Sequence, residues 1–180
     1  MSDESREPFK RLFFALDCAP GPRREIAQWR SALQLRNGRP VPAENFHLTL
    51  LFLGAVGVAQ IGEICTAAAA IRVPGERLAV RLDRLDAWRR AGALVLAPEQ
   101  APPALLRLVY ALEQAMLPFG LEAEPREYRP HLTLARDYRA PAPESATPPE
   151  FVLRADRFIL FESHKGRYRA LAEWPLLDSQ

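Results

Sequence analysis

The tetrapeptide His47-Leu48-Thr49-Leu50 returns letter for letter as His131-Leu132-Thr133-Leu134. In an extended strand, residues i and i+2 share a face. Each copy therefore sets one imidazole beside one hydroxyl, and turns Leu48/Leu50 or Leu132/Leu134 toward a core. Apolar alternation explains the leucines. It does not explain why two of only three histidines carry a threonine two positions on, in a chain with four threonines. The two copies start at 47 and 131, close to half the chain apart. That spacing predicts two similar halves.

The 180 residues suffice for one domain, or two small lobes sharing a core. A hydrophobic content of 48% and a charged content of 26% are globular values. The net charge of +2 is too small to indicate a nucleic-acid coat by itself. Of the 24 basic residues, all but Lys10 and Lys165 are arginine. The planar guanidinium suits phosphate, though arginine richness follows equally from GC-rich coding. Cys18 and Cys65 form no CxxC, so neither a disulfide framework nor a zinc site is indicated. No apolar run approaches the ~20 residues needed to cross a bilayer. The expectation is a protein of the reducing cytoplasm, without a membrane partner.

Residues 1–8 are polar and acidic and are expected as a flexible tail, with 9–180 forming one bilobal domain. Arg11 to Asp17 is an apolar run expected as a buried strand. Apolar spacing from Pro22 through Ile26, Trp29 and Leu33 predicts an amphipathic helix. Phe46 to Leu53 is the first motif strand. A helix is expected over Ile61 to Ile71, a strand over Leu78 to Leu85, and its partner over Ala93 to Ala97, with a hairpin turn at Arg89 to Gly92. Pro102 and Pro103 suit a helix's first turn, and that helix ends near Pro118 and Gly120. After the second motif strand, Arg139 to Pro149 carries four prolines and is expected as an exposed loop. Phe151 to Phe161 and Tyr168 to Trp174 are the last strands. The order predicts a duplicated α+β fold, each half bringing a sheet edge to one central cleft.

Two imidazoles facing one cleft supply what phosphodiester cleavage needs without a metal. One removes a proton from the attacking group and the other donates one to the leaving oxygen. Thr49 and Thr133 can donate to the non-bridging phosphate oxygens, and Arg136, at the end of its strand, can pair with the phosphate as a fork. A metal centre would need a third ligand from a nearby Asp or Glu. No G-x-S-x-G, P-loop or G-x-G-x-x-G occurs, so no nucleophilic serine, nucleoside triphosphate or other cofactor is indicated. His164, in Glu162-Ser163-His164-Lys165-Gly166, is expected as a solvated loop residue. Phe46 and Tyr128 lie near the motifs. Either could stack a base, although a core or rim position is the commoner fate of such residues.

Together these stretches resemble the two-histidine (2H) phosphoesterase superfamily, in its bacterial RNA 2′,3′-cyclic phosphodiesterase / 2′-5′ RNA ligase branch. Carrying the resemblance are Arg11 to Asp17, Gly38-Arg39-Pro40-Val41, Glu44 to Leu50, Phe52-Leu53-Gly54, and Arg129 to Leu134 with Arg136. The Ser163…Gly166…Tyr168 ending also looks like that branch, in shortened form. The resemblance implies a bilobal fold with one HxT motif per lobe. It implies metal-independent hydrolysis of RNA 2′,3′-cyclic phosphate ends to 2′-phosphates, with tRNA halves among the candidate substrates. Reversible, ATP-independent 2′-5′ ligation is the accompanying activity in some members. His47 and His131 are then the catalytic pair, and Thr49, Thr133 and Arg136 the phosphate-binding residues. His131 is expected as base toward water and His47 as acid toward the 3′-oxygen. A monomer is expected. The alternatives are a phosphodiesterase of small cyclic nucleotides and an RNA-binding accessory protein with idle motifs.

Overall fold

The computed structural model describes residues 8–177, so the expected tail lies, except for Pro8, outside the described residues. Strand β1 (Phe9–Asp17) leads into helix α1 (Pro20–Ala32), a two-residue strand β2 (Arg39–Pro40) and the first motif strand β3 (His47–Gly57). Helix α2 (Ile61–Ala69) follows, then β4 (Leu78–Leu82), β5 (Arg84–Trp88), β6 (Ala93–Ala97) and helix α3 (Pro103–Met116). The second motif strand is β7 (Leu132–Arg136), and β8 (Phe151–Ala155), β9 (Arg157–His164) and β10 (Arg167–Pro175) complete the chain. Pro20 and Pro103 stand at the starts of α1 and α3, where a missing N–H costs nothing. The proline-rich stretch 139–149 has no regular structure.

Two four-stranded antiparallel sheets form, in the orders β10-β9-β1-β3 and β2-β7-β6-β5, with β4 and β8 pairing separately. The two arrangements correspond. β3 pairs with β1 as β7 pairs with β6, and each inner strand carries a further antiparallel neighbour, β9 or β5. That neighbour comes from the opposite half of the chain, so each half donates a strand to the other's sheet. The continuous apolar run of β1 is explained by its place between β9 and β3: Leu12 to Leu16 are all buried.

Two expected strands are corrected. Leu78 to Leu85 divides at Asp83 into β4 and β5, and Phe151 to Phe161 divides at Asp156 into β8 and β9. In both, the first piece joins the β4–β8 pair and the second joins a large sheet. The apolar pattern slips by one position at each break, from Leu82 to Leu85 and from Ala155 to Phe158, but such a slip does not reveal the change of partner.

Each motif strand also carries a β-bulge at its last leucine. Phe14 pairs with Leu51 while Ala15 pairs with Thr49, which leaves Leu50 unpaired. Leu94 pairs with Ala135 while Val95 pairs with Thr133, which leaves Leu134 unpaired. One extra residue shifts the inward face by one position. Leu50 and Leu51 are therefore both buried, as are Leu134 and Ala135.

Phe14 is fully buried and packs against Phe158 of β9 and Trp174 of β10. It thus holds first-half β1 to strands from the second half. Phe14→Ala should lower unfolding free energy by about 3–5 kcal/mol, measured by urea denaturation. A loss below about 1 kcal/mol would mean that the strand exchange is not held by this packing.

Candidate active site

Strand β3 lies at the edge of its sheet, and β7 has only the two residues of β2 beyond it. The two approach one another between the halves. Gly38, entering β2, has φ +75°, and a Cβ there would lie 2.7 Å from the Arg136 carbonyl oxygen. A glycine is therefore required for β2 to lie against the end of β7.

His47 opens β3 and His131 stands directly before β7. Each donates its Nδ1 proton to the carbonyl two residues earlier, His47 to Asn45 at 2.7 Å and His131 to Arg129 at 2.8 Å. The same tautomer results in both, with Nε2 carrying the lone pair. The Thr49 hydroxyl donates to Nε2 of His47 at 2.9 Å. Thr133 holds the equivalent place on β7, half-buried like Thr49. Arg136, at the exposed end of β7, donates to the Tyr168 hydroxyl of β10 at 3.3 Å. Tyr168 in turn meets the His47 ring edge-on, centroids 5.1 Å apart. The guanidinium from one sheet thus reaches a tyrosine touching the imidazole of the other.

Burial lowers the pKa of His47 from 6.5 to about 4, against the opposing pull of the Asn45 carbonyl. The positive charges of Arg136 and of His131 lower it further. His131 is also lowered, by burial first, with Arg129 and Arg136 adding to it against the Arg129 carbonyl bond. An anionic ligand would reverse the arginine contribution and return a proton to the site.

Of the five residues expected from the sequence, His47, Thr49, Thr133 and Arg136 lie on these two adjoining strands and His131 directly precedes the second. His164 is the exposed last residue of β9, at the β9–β10 turn, where Lys165 and Gly166 both have positive φ. Phe46 is only 1% exposed, under the Arg30 guanidinium, and so belongs to the core rather than to a stacking surface. Tyr128 uses its hydroxyl on the Thr49 carbonyl at 2.7 Å.

The sequence did not single out the aromatic rings against the imidazoles. Phe13 lies 5.0 Å from His47, and Trp88 lies 4.4 Å from His131 with the Arg129 guanidinium 4.2 Å over its ring. The position of Trp88, last before the β5–β6 turn, was the available signal. Two grooves elsewhere on the surface, sharing Arg107, include none of the motif residues. Among the described residues no three His, Cys, Asp or Glu side chains are grouped as a metal ion would require.

A family model described as LigT like Phosphoesterase matches the chain twice, over residues 16–95 and 95–172. The RNA 2′,3′-cyclic phosphodiesterase of Escherichia coli (strain K12) is 35% identical over 176 residues, covering 93% of this chain and 97% of that protein. The protein of the same name from Bacillus subtilis (strain 168) is 32% identical over 127 residues, covering 67% and 69%. Among solved structures, E. coli LigT complexed with 3′-AMP superimposes with a TM-score of 0.82 at 33% identity, covering 94% of this chain and 99% of that one.

The depressed imidazoles give a direct expectation for the free protein. Both should titrate below 6.5 by NMR, His47 near 4, and inorganic phosphate should raise both midpoints. A midpoint at or above 6.5 for either ring in the free protein would contradict the electrostatics described here.

Proposed function

The chain belongs to the LigT-like phosphoesterase family, and from that premise we propose that it hydrolyses RNA 2′,3′-cyclic phosphate ends to 2′-phosphates by general acid–base catalysis without a metal. The observation that carries this is the matched pair of imidazoles. Both are tied at Nδ1 to a backbone carbonyl, so both carry the lone pair on Nε2, which at His47 accepts from the Thr49 hydroxyl, and both lie within the field of Arg136.

In the proposed step a water oxygen forms a bond to phosphorus while the bond from phosphorus to the 3′-oxygen breaks. His131 takes the water's proton, and His47 gives a proton to the departing 3′-oxygen. That order follows the family resemblance. Both rings start with depressed pKa values, so the negative charge of the bound cyclic phosphate supports protonation of the acid. Thr49, Thr133 and Arg136 stabilise charge on the non-bridging oxygens. With the 5′-hydroxyl of a second RNA end in place of water, the same groups in the same roles form a 2′-5′ bond as the 3′-oxygen leaves; in the reverse reaction the 3′-hydroxyl attacks that bond and the two imidazoles exchange roles.

The substrate is an RNA end, with tRNA halves among the candidates. No helix among the described residues is long and apolar enough to cross a membrane. A monomer in the reducing cytoplasm suits Cys18 and Cys65, which are unpaired with one another. Small cyclic nucleotides are the second substrate class to test, because the E. coli relative was solved with a mononucleotide, 3′-AMP. Idle motifs are disfavoured by the presence of all five residues.

Incubation with a nucleoside 2′,3′-cyclic phosphate in EDTA should give the 2′-phosphate. The 3′-isomer would refute the proposed leaving group, and loss of activity on chelation with recovery on zinc would point to a metal. Thr49→Val, Thr133→Val and Arg136→Ala should each slow turnover by roughly 10²-fold, with Arg136→Lys restoring only part, since a point charge cannot copy a fork. A substrate with sulfur as the 3′ leaving atom needs no proton from an acid. It should rescue His47→Ala and leave His131→Ala slow; the opposite pattern would exchange the two roles.

A further inference from the structure

Edge strands leave a row of carbonyls that water or another group must satisfy. At each motif strand a side chain from the other half of the chain adds a bond at the bulge, and at β7 it joins the Val41 N–H, which donates to the Leu134 carbonyl at 2.9 Å. Tyr128, three residues before His131, donates its hydroxyl to the Thr49 carbonyl at 2.7 Å. That carbonyl directly precedes the bulged Leu50. Arg30, on α1 in the first half, donates from Nη1 to the carbonyl of the bulged Leu134 at 2.8 Å, and from the same nitrogen to Val41. The guanidinium also lies 4.9 Å over the Phe46 ring, next in sequence to His47.

We propose, on the cyclic-phosphodiesterase reading above, that Tyr128 and Arg30 are reciprocal positioning residues: each crosses between the halves to fix the other half's motif strand, and together they set the separation of the two imidazoles. Neither touches the reacting atoms. Both bonds end within two residues of a phosphate-binding threonine, at the points where the register with the inner strand is broken. Arg30 is held by neutral carbonyls and an aromatic ring, and no acidic side chain among the described residues forms an ion pair with it. Burial lowers its pKa from the ordinary arginine value. The half-buried guanidinium, bonded to carbonyls of both Val41 and Leu134, holds β7 at a defined place. Small displacements of reacting groups carry large kinetic penalties.

Tyr128→Phe removes one oxygen and keeps the ring, and Arg30→Met keeps the stem without the donors. Each should lower kcat by about tenfold or more while KM changes by less than about twofold. Arg30→Lys, which keeps a donor, should recover part of the loss. Hydrogen–deuterium exchange should quicken over 47–53 in Tyr128→Phe and over 132–136 in Arg30→Met, with the remaining strands unchanged. Wild-type kcat in Tyr128→Phe, a rise in KM alone, or unchanged exchange over 47–53 would overturn the proposal. Exchange decides it even if the wild-type protein turns over no cyclic phosphate, an outcome that would refute the proposed reaction instead. If Arg30→Met does not fold, Tyr128→Phe decides alone.

Discussion

Strand β9, from the second half, pairs along β1, and strand β5, from the first half, pairs along β6. Without those exchanged strands, β1 and β6 would each expose the hydrogen-bonding groups of a sheet edge beside a largely apolar run. The two lobes therefore cannot be completed independently, and the strands bearing the two motifs are brought together as a consequence of closing both sheets. The exchange also puts Tyr168, near the chain's end, against His47, near its first quarter. The β9–β10 turn reaches the same place, because the Asn45 side chain, whose own carbonyl holds His47, donates to the Gly166 carbonyl at 3.1 Å.

Symmetry at the level of the backbone becomes symmetry of chemistry. A histidine tied at Nδ1 to the carbonyl two residues back can present only Nε2 to a ligand. Both rings are fixed in this way. What distinguishes them is their surroundings: Phe13, Tyr168 and the Thr49 hydroxyl around His47, and Trp88 with the Arg129 guanidinium around His131. The four motif side chains are half-buried, and Arg136 is exposed at the end of β7.

The HLTL repeat made the two motif strands, their buried leucines and the pairing of an imidazole with a hydroxyl on each legible, because a period of two fixes which side chains share a face. The bulges were less so. Leu50-Leu51 and Leu134-Ala135 are adjacent apolar pairs that break strict alternation, yet apolar neighbours also occur in strands buried on both faces. The divisions at Asp83 and Asp156 left only a one-position slip in the apolar pattern, and partner choice is not encoded in periodicity. Strand β2 is too short to carry a period at all. The bonds of Tyr128 and Arg30 join residues 79 and 104 positions apart, and no local pattern in one sequence reports such contacts.

The central claim is that His47 and His131 act as one unit on one phosphate, and turnover of a nucleoside 2′,3′-cyclic phosphate by four alanine variants tests it most directly. His47→Ala and His131→Ala should each lose 10²–10⁴-fold, the usual worth of general acid–base help. The double variant should be hardly slower than the poorer single one, because groups acting together are not additive. His164→Ala should keep the wild-type rate. Full activity in His131→Ala, losses that multiply in the double variant, or collapse of His164→Ala with its circular dichroism unchanged would contradict the shared site.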